Sequence, residues 1–169
     1  MNFTDSDFPI FYMKMSNIWK DFCIFHSNLL DATISEYEYL LSSNLDELDI
    51  VNSIKNELVE KIKFKEDERK QLLNEAYTEG IIPHKIESLT QLEKYFLKYE
   101  ESEQLEYFSE FSSLLKKILK NLRKQNKQNQ IFIHKALNSL TTLREDMAGQ
   151  KSTEVYSPNG KTAKLRQSC

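Results

Sequence analysis

Apolar residues recur along this chain in steps of three and four, and a few polar or small-residue stretches interrupt them. Met15, Ile18, Trp19, Phe22, His26, Leu29, Leu30, Thr33, Ile34, Tyr37, Leu40 and Leu41 keep that spacing, which puts them on one face of a helix from about 14 to 42. Ser42, Ser43 and Asn44 break the pattern. Asn44 with Glu47 three residues on has the form of a helix start, because a short polar side chain can accept from a free backbone N–H of the first turn. Leu45, Leu48, Val51, Ile54, Leu58, Ile62, Leu72, Leu73 and Ala76 then carry a second helix as far as Gly80, roughly 50 Å at about 1.5 Å per residue. Within it the run KFKEDERKQ reads either as a solvated face or as an ionic docking site. After Ile81, Ile82 and Pro83, a short helix from Ser88 to about Glu101 carries Leu92, Tyr95, Phe96 and Tyr99.

From Leu105 onward the periodicity sharpens. Phe108, Phe111, Leu115, Ile118 and Leu122 alternate steps of three and four, and Gln125 and Asn129 continue the register with polar side chains inside the stretch RKQNKQNQ. Polar groups in a packed seam cost stability unless they find partners. The gap therefore either fixes the register of a bundle or marks the point where the helix leaves it. Beyond it Ile131, Ile133, Ala136, Leu137, Leu140, Leu143 and Met147 form another apolar stripe, which needs a partner because an isolated helix of this length is marginal in water. The segment from Gly149 to Cys169 has almost no apolar residues beyond Val155 and Tyr156, with Pro158, Asn159 and Gly160 placed for a turn, so it is expected to be a disordered tail. The chain thus divides into an N-terminal arm (1–13), a helical bundle (14–122), an amphipathic binding helix (123–148) and a flexible tail (149–169). The fold class is all-α: long antiparallel helices in a three-helix bundle or a coiled-coil-like arrangement.

Composition narrows the function classes. Three glycines and three prolines in 169 residues are too few for the tight turns of a sheet protein. A net charge of -3 gives no general electrostatic case for nucleic acid. Acids stand where a signal peptide has bases, and there is no apolar run of about 18 residues, so a cytoplasmic protein without membrane insertion is expected. Glu100, Glu101, Glu103, Glu106 and Glu110 precede Lys116, Lys117, Lys120, Arg123, Lys124 and Lys127. That order partly suits the helix dipole, and it also suits an acidic partner.

The Asn-x-x-Asn pair (Asn126, Asn129) leading into an amphipathic segment, and the Tyr-x-x-x-Gly of Tyr156 to Gly160 followed by Lys161, resemble the flagellar export chaperones of the FlgN family. The similarity is most specific from about Leu122 to Lys161. It implies a chaperone that holds hook-filament junction proteins of the FlgK and FlgL type by their C-terminal helices and brings them to the FlhA-type gate of flagellar type III export. By position, cargo binding would fall on Ile131, Ile133, Ala136, Leu137, Leu140, Leu143 and Met147, and docking on the export gate on Tyr156. Ser157 and Asn159 depart from the family's tail, which commonly has Gly after the tyrosine and an acid before the final Gly.

Two other classes remain in view. Cys23 and His26 lie three apart on one helix and could begin a zinc site with His84, His134 or Cys169, but no CxxC or HExxH spacing accompanies them. Glu66, Asp67 and Glu68 have no adjacent histidine or glycine-rich loop, so acid–base chemistry has no support. Neither an enzyme nor a cofactor is expected. A self-associating adaptor bundle would explain the heptads equally well, and a homodimer in the absence of cargo stays open.

Overall fold

The computed structural model describes residues 7–86 and 88–149. They form four helices: α1 (Asp7–Ser42), α2 (Leu45–Thr78), α3 (Leu89–Glu103) and α4 (Tyr107–Gly149). Among the described residues there is no strand. The chain divides into two compact units, Met1–Asn129 and Gln130–Cys169.

The first unit is built on α1, α2, α3 and the first part of α4. Ser43 adopts a left-handed conformation (φ 54°) that ends α1, and Asn44 caps α2 by accepting from the backbone N–H of Glu47 at 3.4 Å. The two helices return antiparallel, as the Lys55–Glu36 and Lys65–Asp21 ion pairs at 2.6 and 3.0 Å require. Gly80, at φ 74°, turns the chain out of α2 through a conformation that costs other residues about 1 kcal/mol or more. α3 starts with a reciprocal capping box: Ser88 accepts from the backbone N–H of Gln91, whose side chain accepts from the backbone N–H of Ser88.

α3 packs antiparallel against the start of α4, with Glu93 beside Ser112 and Lys116 and Phe96 stacked edge-on against Phe108 at 4.7 Å. α4 then runs parallel to α1: Trp19 meets Phe108, Cys23 donates to the Phe111 carbonyl, and Thr33 meets Asn129. The three long helices alternate up, down and up, and the short α3 occupies the return path between α2 and α4.

The main core is aromatic. Phe96 is fully buried and touches Phe8, Phe11, Tyr12 and Phe108 at centroid distances of 4.7–6.2 Å. Truncating such a ring to Ala costs about 3–5 kcal/mol. Ile82 and Ile86 close this core from the α2–α3 connection. Further along, Leu29, Leu58 and Leu122, one from each long helix, form a smaller cluster.

The helical assignments of the sequence hold, with one correction at the start. α1 begins at Asp7, not near residue 14, and Phe8, Phe11 and Tyr12 are buried in the core. From Asp7 on, the expected arm is therefore the first part of the bundle. The first compact unit also extends past residue 122, to Asn129. The segment expected as a tail falls outside the described residues from Gln150 onward.

Candidate functional site

The second unit contributes the helical residues Gln130 to Gly149, the end of α4. At about 100° per residue, Ile133, Ala136, Leu137, Leu140, Leu143 and Met147 fall within an arc of roughly 120° centred near Leu140. Ile131 lies roughly 180° round the helix from Leu140, apart from the other six. All seven are exposed, the six larger ones from 36% at Ile133 to 70% at Met147. Scattered single apolar residues are ordinary on a protein surface, whereas a periodic exposed row such as this is not. Periodicity in the sequence locates the stripe; only the structure shows it uncovered.

The polar gap forms a layer of hydrogen bonds inside the first unit. Asn129, almost fully buried, donates through Nδ2 to the Thr33 carbonyl at 2.8 Å and to Glu36 Oε2 at 2.7 Å. Its Oδ1 accepts from Gln125 Nε2 at 3.0 Å, and the Lys55 ammonium donates to the same Glu36 oxygen at 2.6 Å. The polar seam positions thus have their partners, so the layer specifies register rather than weakening the seam. Glu36 and Lys55 escape a reading by periodicity, because an acid and a base on two other helices carry no mark in the sequence of which seam residue they meet.

A second set of apolar residues is uncovered around the α1–α2 turn: Ile34, Leu41, Leu45, Ile50 and Ile54 are all exposed, Leu45 most of all at 70%. Four of them, Ile34, Leu41, Leu45 and Ile54, belong to faces that the spacing predicts as buried.

The other candidates find structural occupations. Cys23 Sγ donates to the Phe111 carbonyl at 3.3 Å, and His26 Nδ1 donates to the Phe22 carbonyl at 2.8 Å. Burial pushes the Cys23 thiol up and the His26 imidazole down, so both stay neutral near pH 7. Among the described residues no three His, Cys, Asp or Glu side chains gather to hold a metal ion. The charged run in α2 largely neutralises itself: Arg69 forks onto Glu66 at 2.7 Å, and Lys65 pairs with both Asp21 and Glu68. Tyr156 lies outside the described residues. Among those described, no helix is long and apolar enough to cross a membrane.

A family model described as FlgN protein matches residues 15–164, which covers all four helices but for the first turns of α1. No curated protein and no solved structure matches the chain. A match over this much of the sequence, together with four helices ending in an uncovered amphipathic segment, places the chain in the FlgN family of flagellar export chaperones.

Proposed function

We propose that this protein is a cytoplasmic chaperone that holds the C-terminal amphipathic helices of FlgK-type and FlgL-type junction proteins against the end of α4, prevents their premature assembly and delivers them to the FlhA-type export gate. The observation that carries the reading is the uncovered stripe of Ile133, Ala136, Leu137, Leu140, Leu143 and Met147, in a chain of this family. An amphipathic cargo helix would be bound by laying its own apolar face on that stripe. Covering the stripe contributes on the order of 10 kcal/mol gross at about 1.5–3 kcal/mol per large side chain. Association and ordering subtract several kcal/mol, which leaves an affinity on the order of ten to a hundred micromolar from this stripe alone, loose enough to release. Ile131, on the other side of the helix, contributes little to this contact. Without cargo the same stripe is open to a second copy of the chain, so a weak homodimer is expected.

Tyr156 is assigned to the gate. Its ring and hydroxyl can anchor a small interface, and it stands nine residues beyond Met147 in a polar segment.

The test is co-purification. Leu137→Asp with Leu140→Asp is expected to abolish capture of a junction protein's C-terminal helices with helicity intact, because a buried unpaired charge costs several kcal/mol at an interface. Tyr156→Ala is expected to retain cargo and lose the gate's cytoplasmic domain. Capture undiminished by the double aspartate would overturn the assignment of the stripe.

A further inference from the structure

On the outer side of α4, a strip of cations runs from Lys116 to Lys127. Lys116, Lys117, Lys120, Arg123, Lys124 and Lys127 are all exposed. At about 100° per residue they share an arc of roughly 120° opposite the buried Leu115 and Leu122, over about 17 Å of helix. Lys116 pairs with Glu93 of α3 at 2.7 Å; among the described residues no carboxylate pairs with the other five. No acid occurs between Glu110 and Glu145. Across the chain the charges are segregated: up to Ser113 there are 11 bases and 23 acids, and from Leu114 on there are 12 bases and 3 acids, which together leave the net -3.

We propose that this strip seats the outer face of α4 on an anionic lipid surface. Five of the six cations are lysines, compact charges on flexible stems, which suit a diffuse layer of headgroups better than the planar, two-pronged reading of a carboxylate that arginine provides. From Lys117 to Lys127 the strip is one face of a single helix, a shape that meets a plane, and the cavity between α3 and α4 touches it only at Lys116. The strip carries no aromatic ring on which nucleic-acid bases could stack. The exposed cations of this face attract anionic headgroups, although the net charge of the chain is -3. Attachment is peripheral and salt-sensitive, each basic residue strengthening it about fivefold. The inference does not rest on the cargo reading, because none of the six residues belongs to the stripe that would hold cargo.

The test is co-sedimentation of the full chain with vesicles. At low salt the protein is expected to sediment with vesicles of phosphatidylglycerol and phosphatidylcholine, to ignore phosphatidylcholine alone, and to be released at high salt. The variant Lys117→Gln, Lys120→Gln, Lys124→Gln, Lys127→Gln is expected to keep its helicity and melting temperature and to bind at least about a hundredfold more weakly, while the same four positions changed to Arg retain binding. Three results would overturn the proposal: no binding of the wild type at low salt, equal binding by the glutamine variant, or tighter binding of polyglutamate or RNA than of vesicles, which would assign the strip to an acidic protein or a nucleic acid.

Discussion

Glu100 holds together two helices and the start of a third. One carboxylate oxygen accepts from the Tyr12 hydroxyl at 2.6 Å and from the backbone N–H groups of Phe108 and Ser109 at 2.7 and 3.2 Å. The last two are free donors of the first turn of α4, where a negative charge is also favoured by the helix dipole. Glu100→Ala is expected to cost about 2–4 kcal/mol in urea denaturation, since it leaves buried donors without an acceptor; a loss within experimental error would mean that water replaces the carboxylate. Burial, and then the neighbouring Glu100, push the Tyr12 phenol up to about 12. The unfolded chain gives up this proton near pH 10 while the folded chain keeps it, so the stability it represents is complete below about pH 10 and is lost as pH rises towards about 12. Burial also raises the phenols of Tyr95 and Tyr99, so an ultraviolet titration is expected to show Tyr12 within a late-ionising group of tyrosines, and Tyr12→Phe to reduce the amplitude of that late step by one tyrosine. Ionisation of every tyrosine near pH 10 with helicity intact would contradict the assignment.

The helices and their caps follow from apolar spacing and from Asn44, Ser88 and Gly80, because these signals are local. What spacing cannot deliver is the identity of distant partners. Phe8, Pro9, Ile10, Phe11 and Tyr12 look like an unpatterned apolar arm, yet Pro9 needs no partner for its missing N–H in a first helical turn, and Phe8, Phe11 and Tyr12 repeat at helical spacing once α1 is taken back to Asp7. Ile82 and Ile86 are core residues of a connection, where no periodicity exists to reveal them. The stripe from Ile133 to Met147 was legible as amphipathic, whereas the layer beneath Asn129 was not. That layer yields a prediction for α4. Asn129 and Lys55 share one oxygen of Glu36, so Asn129→Ala and Lys55→Met should be coupled by about 0.5–3 kcal/mol in a double-mutant cycle of denaturation. Strict additivity would show that the layer is a set of independent contacts.

The molecule has a core closed by aromatic rings, a hydrogen-bonded layer at the end of its first compact unit, and a helical stretch whose apolar side is exposed. The uncovered residues around the α1–α2 turn, Leu41, Leu45 and Ile54 among them, are the rival surface for any partner helix. Amide hydrogen exchange on the full-length chain separates the two surfaces. In the free protein, amides from Ile131 to Met147 should exchange far faster than those from Phe108 to Leu122, because the hydrogen bonds of a helix whose side chains are mostly exposed open readily. Adding a saturating C-terminal helix of a FlgK-type junction protein should slow exchange from Ile131 to Met147 by about tenfold or more. Unchanged exchange there, with protection appearing instead between Leu41 and Ile54, would contradict the placement of cargo on α4.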